Sequence, residues 1–461
     1  MTSRRRVVLV SLCVLLAAYV TVEIVRARPR TIGTTELGDV RIYPAWFRAR
    51  GFTYVFSGAD GWNAEDESVA GARARAGDTV IGVDTPRLAA YLNRTARGCT
   101  YLPGPLEELS RATQHSIDTE RLSAPTLLGR GVGAAMVYAA QLQAPALAFD
   151  GVVGLDPEPA VPLEAPLCDL PPVPGQAHGQ ALPARALGRN VPARFLADPY
   201  ASNAARTFVD ALTRAAGNRR VQLHPKGPAT LAALYDAALA DESRSRAGHA
   251  LEDLPVVEVP APHPSYRTFA VLYSGDGGWR DLDRTIAETM ATKGLNVVGF
   301  DALRYFWTLR SPGRAAADLA RVIRDYQQRW HAHDVALIGY SFGAEVLPFL
   351  INRLPKDVRA SVRSLTLIAP GRNATFEIDP KDWFWAGDSE GPEIAPELRS
   401  VAGVRVQCIF GAEEQADSLC TLPALPAVEV IRRPGGHHFD GDYTSIADRI
   451  LAGIDPPGGV R

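Results

Sequence analysis

A serine between two glycines lies where a predicted strand meets a predicted helix. Residues 339–343 read Gly-Tyr-Ser-Phe-Gly, which fits the G-x-S-x-G pattern of a serine nucleophile on a sharp turn. Residues 335–338 before it are a β-prone apolar run, and residues 344–350 after it can form a helix. Because this strand–turn–helix setting is what the pattern requires, we predict Ser341 as a nucleophile for acyl transfer.

A carboxylate that orients the base should follow a later strand. Serine needs a base to become a good nucleophile, and the order along the chain is serine, then acid, then histidine. The predicted strand 404–410 is followed by Glu414 and Asp417. We predict Asp417 as the acid and keep Glu414 as the alternative. The reason is Cys420, which lies close to Asp417 and can tie this loop to Cys408.

The base is predicted in the last loop of the chain. Residues 434–438 read Pro-Gly-Gly-His-His and follow a predicted strand over 428–431. A glycine-rich loop after a strand can present an imidazole to the serine turn. We predict His437 as the base because it directly follows the glycines, with His438 as the alternative.

Backbone donors for an oxyanion are also predictable. One is the N–H of Phe342, the residue after the nucleophile. The other should come from the loop 274–279, Ser-Gly-Asp-Gly-Gly-Trp, with Gly275, Asp276 and Gly277 as candidates. Glycines let N–H groups approach the developing charge. The loop has neither a Walker-type lysine nor a G-x-G-x-x-G pattern, which argues against a phosphate cradle.

The chain repeats itself once at long period. Three pairs of segments match in the same order: 52–62 with 269–279 (FTYVFSGADGW, FAVLYSGDGGW), 79–84 with 296–301 (TVIGVD, NVVGFD), and 126–135 with 336–344 (TLLGRGVGAA, ALIGYSFGA). Any one match is weak, but three at similar separations indicate a duplication.

Short apolar strands alternate with helix-length amphipathic stretches in both halves, which indicates βαβ units. We therefore predict an α/β protein with two tandem α/β-hydrolase-like domains, each a mostly parallel, doubly wound sheet. The first domain is predicted over 35–240 and the second over 265–455. A polar and then proline-rich linker is predicted over 241–264.

The first domain lacks the residues for this chemistry. Gly131 stands at the position of Ser341, and Pro228 stands at the position of His437. Without a nucleophile and a base, the first domain is predicted to be a degenerate, non-catalytic copy that contributes binding or stability.

The N-terminus resembles an export signal. Three arginines at 4–6 precede an apolar run over 7–22, so residues 1–28 are predicted as a signal peptide or signal anchor. Four cysteines remain beyond Cys13, and pairing within each half is the simplest arrangement in an oxidising compartment. The predicted disulfides are Cys99–Cys168 and Cys408–Cys420, with four free thiols as the alternative.

Composition excludes little, but it does exclude a general attraction to nucleic acid. The net charge is -2 over 461 residues, and no long basic run is present. The cysteine spacings do not resemble a zinc site, so we predict neither a metal nor another cofactor.

Three stretches carry a resemblance to a known family: SGDGGW at 274–279, DALRYFW at 301–307 and GYSFGAEVLPF at 339–349. They resemble the VirJ/AcvB family, whose longer members share the two-unit architecture. The resemblance implies a periplasmic α/β-hydrolase that cleaves aminoacylated phosphatidylglycerol, notably the lysyl form, with links to type IV secretion and virulence. It carries the nucleophile, acid and base to Ser341, Asp417 and His437.

A lysyl substrate brings ammonium groups, so carboxylates near the nucleophile are candidate substrate ligands. Asp276, Asp301 and Glu345 are such candidates, although a turn former, a strand-end cap and a solvated helix residue are their ordinary interpretations. The family has aspartate where this chain has Glu345. Trp279 is a further candidate contact. A lipid-facing lid or ordinary core packing would explain a set of aromatic residues: Tyr305, Phe306, Trp307, Trp383, Phe384 and Trp385.

Two other functions stay open. Another exported esterase or thioesterase is one alternative, by analogy of fold. The degenerate first domain also fits a non-catalytic periplasmic adaptor or chaperone of a secretion system. The predicted partners are a membrane phospholipid as substrate and a periplasmic or secretion-system protein. The predicted location is the periplasm, with the N-terminal segment as a possible membrane anchor.

Overall fold

The computed structural model describes residues 28–34, 37–46, 49–117, 119, 121–170, 180–185, 193–197, 201–215, 231–246, 251, 253–378, 391–423, 425 and 428–454. Apart from residues 121 and 122, which group with the second unit, these residues form one compact unit before residue 247 and another after residue 248. The predicted leader lies outside the described residues, except for Arg28. No helix in the described ranges combines the length and apolar character needed to cross a bilayer.

The described residues of the first unit form nine strands, seven of which make one sheet. Its strands are β1 (Arg30–Thr34), β2 (Gly38–Tyr43), β3 (Gly51–Phe56), β4 (Asp78–Val83), β5 (Thr126–Arg130), β6 (Gly151–Leu155), β7 (Ala160–Val161), β8 (Gln180–Ala181) and β9 (Ala193–Leu196). Its helices are α1 (Ala64–Ala76), α2 (Thr85–Thr95), α3 (Pro103–Ser116), α4 (Val132–Gln143), α5 (Asn203–Ala215) and α6 (Leu231–Arg246). The sheet order is β1-β2-β4-β3-β5-β6-β9, while β7 and β8 pair separately.

The second unit has a sheet of the same size. Its strands are β10 (Val256–Val259), β11 (Thr268–Tyr273), β12 (Val297–Phe300), β13 (Asp334–Tyr340), β14 (Val362–Ile368), β15 (Arg405–Gly411) and β16 (Val428–Arg433). Its helices are α7 (Asp281–Thr292), α8 (Ala302–Tyr305), α9 (Pro312–Trp330), α10 (Phe342–Ile351), α11 (Lys356–Arg359), α12 (Ile394–Arg399) and α13 (Tyr443–Ala452). Short 3₁₀ helices span Ala412–Glu414, Leu419–Thr421 and Phe439–Gly441.

The second sheet runs β10-β12-β11-β13-β14-β15-β16, and all of its pairs are parallel except β10 with β12. Strand β13 lies at its centre and is buried from Val335 onward, as expected for a strand covered by helices on both faces. Helix α9 begins at Pro312, and the side chain of Ser311 accepts a hydrogen bond from the Arg314 N–H. The predicted fold class, two tandem and mostly parallel α/β domains, is confirmed.

The segment predicted as a linker is only partly one. Residues 256–259 form β10, which pairs with β12 in antiparallel register. The β-branched residues of Val-Val-Glu-Val favour a strand at the edge of the sheet. The flanking residues Pro255 and Pro260 favoured a linker in the prediction from sequence. The second sheet therefore begins before residue 265.

Both predicted disulfides are present in the structure. Cys99 is bonded to Cys168 in the first unit, and Cys408 is bonded to Cys420 in the second. The second bond connects β15 to the 3₁₀ helix Leu419–Thr421 and so closes the loop that follows β15.

Candidate active site

Ser341 occupies a strained turn between β13 and α10. Its backbone has φ 49° and ψ -119°, a region that residues with a side chain seldom adopt. The turn is fixed by two hydrogen bonds: the Ser341 N–H donates to the Ile368 carbonyl at 2.8 Å, and the Ser341 carbonyl accepts from the Glu345 N–H at 3.1 Å. This geometry turns the hydroxyl out of the sheet at the carboxyl end of its central strand.

The glycines on either side of this turn are required by packing. A methyl group on Gly339 would lie 2.5 Å from the carbonyl oxygen of Gly343, and one on Gly343 would lie 2.5 Å from the carbonyl oxygen of Tyr273. Helix α10 therefore approaches β11 and β13 closely enough that only glycine fits. The glycines of the G-x-S-x-G pattern have this physical reason here.

His437 lies against Ser341, the predicted nucleophile. Its Nε2 atom is 3.0 Å from Ser341 Oγ, and its Nδ1 atom is 2.6 Å from Glu414 Oε1. The side chain of His437 is about one-third exposed, at 37%, so solvent or a substrate can reach it. The three side chains form one hydrogen-bonded series from hydroxyl to imidazole to carboxylate, which is the arrangement of a nucleophile, a base and an orienting acid.

The predicted acid, Asp417, is not part of this series. Glu414 takes its place, because the chain enters a 3₁₀ helix at Ala412 and the third residue after β15 then faces His437. Asp417 is exposed, and its N–H donates to the Glu414 carbonyl at 3.1 Å. The Cys408–Cys420 bond restrains the whole loop but does not decide which carboxylate points inward.

The loops that carry acid and base are held together. The N–H of Glu413 donates to the Gly435 carbonyl at 3.1 Å. A methyl group on Gly411 would lie 2.3 Å from the carbonyl oxygen of Gly436, so the two loops cross at very short range. His438, the alternative base, is exposed, and its Nδ1 atom contacts the Tyr340 hydroxyl at 3.3 Å rather than Ser341.

The loop predicted to supply an oxyanion donor lies beside the nucleophile. A methyl group on Gly275 would lie 3.5 Å from Ser341 Cβ. The loop is closed by the Gly278 N–H, which donates to the Gly275 carbonyl at 3.1 Å, and by Ser274 Oγ, which accepts from the Ala302 N–H at 2.9 Å. These contacts hold the backbone of Gly275 next to Ser341. The oxyanion-donor roles of Gly275, Asp276, Gly277 and Phe342 stay predictions.

Carboxylates govern the protonation of the site. Burial of the imidazole opposes its charge, but the hydrogen bond and the attraction from Glu414, with smaller effects from Asp276 and Glu345, raise the pKa of His437 above its usual value. Burial raises the pKa of Glu345 to about 7, although the Gly371 N–H stabilises its charged form through a hydrogen bond of 3.1 Å. Glu345 and Asp276 thus both lie within electrostatic range of the base.

The other predicted substrate contacts have structural roles. Asp301 accepts from the Arg304 N–H at 3.0 Å, which caps α8, and pairs with the Arg304 guanidinium at 3.3 Å. Trp279 is buried against Gly299. The aromatic lid is not confirmed either, because Tyr305, Phe306 and Trp307 are buried in the core. Trp383, Phe384 and Trp385 lie outside the described residues.

Tyr340, which was not predicted from the sequence, contacts His437. Its hydroxyl lies 3.3 Å from the carbonyl oxygen of His437, and its ring lies 5.3 Å from the imidazole of His437 between centroids. The position is variable in the G-x-S-x-G pattern, so the motif alone gives no signal for it. In the described part of the chain, no group of three or more histidine, cysteine or acidic side chains is arranged to hold a metal ion.

Residues 267–456 match the family model described as bacterial virulence protein (VirJ). The C-terminal half is VirJ-like. This match includes Ser341, Glu414 and His437, as well as the loop 274–279. No curated protein matches the chain significantly.

Solved structures with a similar fold include MenH from S. aureus, with 13% identity, a TM-score of 0.34, and coverage of 43% of this chain and 96% of that one. An esterase from Pyrococcus furiosus has 14% identity, a TM-score of 0.31, and coverage of 45% and 96%. A proline iminopeptidase from Mycobacterium smegmatis has 12% identity, a TM-score of 0.31, and coverage of 43% and 94%. The strand order and parallel pairing described above are those of a doubly wound α/β fold.

Proposed function

We propose that this protein is a serine esterase whose nucleophile, base and orienting acid are Ser341, His437 and Glu414. The observation that carries this proposal is the unbroken hydrogen-bonded series at 3.0 Å and 2.6 Å. Each member comes from a different loop at the carboxyl edge of one sheet, and each has the chemical type that its role requires.

In the proposed mechanism, His437 Nε2 takes the proton of Ser341 as Oγ attacks the ester carbonyl carbon. Glu414 keeps the Nδ1 proton in place and stabilises the imidazolium that forms. The N–H of Phe342 and N–H groups of the loop 274–279 donate hydrogen bonds that stabilise the negative charge on the carbonyl oxygen. The C–O bond then breaks, His437 protonates the leaving alcohol, and a water activated by His437 hydrolyses the acyl-enzyme.

The substrate we propose is an aminoacylated phosphatidylglycerol, with the lysyl ester as the leading case. Two observations support it. The VirJ-like region contains the whole hydrogen-bonded series, and the carboxylates of Glu345 and Asp276 lie within electrostatic range of His437. Negative charge beside the scissile ester favours an acyl group that carries ammonium, since opposite charges attract more strongly in a partly buried site.

We also propose that the protein acts outside the cytoplasm, close to the membrane that holds this lipid. The arginine-rich, apolar N-terminal segment and the disulfides Cys99–Cys168 and Cys408–Cys420 support this location, because such bonds persist in oxidising compartments. A periplasmic protein partner bound through the first domain is part of the same proposal.

The substrate is tested with purified protein and mixed vesicles that contain lysyl-phosphatidylglycerol. We expect release of free lysine and phosphatidylglycerol, and no release with Ser341→Ala. A matched vesicle with both lysyl amines acetylated should be cleaved more slowly. If the protein hydrolyses p-nitrophenyl acetate but leaves the lysyl lipid intact, the substrate assignment is wrong while the esterase assignment stands.

A further inference from the structure

Tyr340 contacts both loops that complete the proposed active site. Its hydroxyl lies within hydrogen-bond distance of the His437 carbonyl oxygen and of His438 Nδ1, at 3.3 Å in each case. On its other side, a methyl group on Gly275 would lie 3.2 Å from Tyr340 Cδ1. The side chain is therefore packed between the base loop and the loop 274–279.

The first domain has a different residue at this position. Arg130 directly precedes Gly131, as Tyr340 directly precedes Ser341. The Arg130 guanidinium donates to Asp66 at 2.9 Å and 3.1 Å and pairs with Asp60 at 2.8 Å. Its side chain is thus committed to carboxylates on α1 and on the loop before it.

The second domain has an aspartate at the position of Asp66 but has tyrosine, not arginine, at position 340. Asp66 is the third residue of α1, and Asp283 is the third residue of α7. Asp283 is buried, and its Oδ1 atom has no hydrogen-bond partner in the described structure. Burial raises the pKa of Asp283 well above its usual value. A tyrosine at position 340 brings no cation to this carboxylate, and its hydroxyl contacts the base loop.

We propose that Tyr340 is a positioning residue, whose hydroxyl and ring hold the His437 loop and the Gly275 loop in register around Ser341. The inference rests on the proposed esterase function but is separate from it. Tyr340 acts through the main chain of the base, to which its hydroxyl donates one hydrogen bond. Its loss should therefore slow the chemical step without weakening substrate binding.

The test compares Tyr340→Phe with Tyr326→Phe in the full chain, using p-nitrophenyl acetate and a fluorophosphonate. Tyr326 is a matched control because it is also buried and its hydroxyl also makes a hydrogen bond, to Glu258 at 3.0 Å. Tyr340→Phe should lower kcat by about threefold to tenfold, the value of one hydrogen bond, at unchanged KM. The rate of fluorophosphonate labelling should fall by the same factor, because it also needs His437 in place. Tyr326→Phe should lower the melting temperature alone.

Two further variants decide how Tyr340 acts. Tyr340→Arg reproduces the residue of the first domain and offers Asp283 a cation, so it should lower kcat by about 100-fold or more while the circular dichroism spectrum stays unchanged. His438→Ala should leave kcat within about twofold, because the hydroxyl acts through the carbonyl of His437.

A kcat for Tyr340→Phe within twofold of the unmodified chain overturns the inference, as does an equal loss in Tyr326→Phe or a change confined to KM. Failure of the unmodified, folded chain to react with the fluorophosphonate contradicts the proposed function instead. The two failures are therefore distinguishable.

Discussion

The two domains share a turn but differ in what it carries. Gly131 in the first domain has φ 53° and ψ -121°, and Ser341 in the second has φ 49° and ψ -119°. The same backbone conformation therefore occurs with and without a nucleophile. For Gly131 it costs little, whereas for Ser341 it places a side chain in a disfavoured region.

The scaffold behind the turn is also the same in both domains. The hydroxyl of Ser57 accepts from the Thr85 N–H at 3.0 Å, just as Ser274 accepts from Ala302 at 2.9 Å. The order β2-β4-β3-β5-β6-β9 repeats in β10-β12-β11-β13-β14-β15. Loop packing and strand order therefore fix the strained turn in both domains. The chemistry depends on the few side chains added to that turn.

The largest expected effect comes from exchanging the residues at the turn. Ser341→Ala should lower kcat for ester hydrolysis by about 10⁵-fold or more, because the nucleophile is lost while the fold is kept. Gly131→Ser should add no activity in that background. A methyl group at Gly131 meets no atom within 4 Å, so there is space for a serine side chain, although the positive φ of 53° strains it. The aligned base position holds Pro228. Steady-state assays with p-nitrophenyl acetate check both, and any hydrolysis gained by Gly131→Ser would mean that the first domain has a hidden base.

The second effect separates the two acidic residues of one loop. Glu414→Gln should lower kcat by about 10³-fold to 10⁴-fold, because the amide cannot stabilise the imidazolium and favours the wrong tautomer of His437. Asp417→Asn should stay within about twofold, since its side chain is exposed. The kcat values of both variants measure the difference, and a larger loss in Asp417→Asn would restore the acid predicted from sequence.

The smallest effect concerns pH. His437 must be neutral to accept a proton, so activity should rise with pH and reach half its maximum above 6.5, the ordinary pKa of histidine. Glu345→Gln removes a carboxyl group whose charged form favours the imidazolium, so the pKa of His437 should fall and the acidic limb of kcat/KM should move to lower pH. The change should be small, because Glu345 itself has a pKa of about 7 and is partly protonated in this range. A pH–rate profile of each protein tests this. A move of the acidic limb to higher pH in Glu345→Gln would contradict the electrostatic description. An acidic limb that is unchanged in both Glu345→Gln and Glu414→Gln would also contradict it.

Much of this fold was predictable because its signals are local. The motif 339–343, the glycines before His437 and the repeat of three segments each follow from strand, turn and helix chemistry within about ten residues. These features predicted the fold class, and they singled out Ser341 and His437, which the structure brings together. The two disulfides could also be predicted, because each one joins two cysteines of the same half of the chain.

The missed features depend on contacts that no local pattern encodes. Whether Glu414 or Asp417 faces the base depends on a 3₁₀ turn that starts at Ala412. Asp301 caps the chain after β12, in agreement with its ordinary interpretation, but its ion pair with the Arg304 guanidinium is not predictable from the strand-end position alone. The role of Tyr340 depends on its contacts with His437 and Gly275, which the aligned sequences of the repeat do not show.

The most direct test of the esterase account is to map the site of covalent modification in the intact chain. The full-length protein is treated with a fluorophosphonate and digested, and the modified peptide is identified by mass spectrometry. We predict a single adduct on Ser341, formed much more slowly in His437→Ala and absent in Ser341→Ala. An adduct on another residue, or none on protein with a native circular dichroism spectrum, would show that the Ser341–His437–Glu414 series is not a working nucleophilic site.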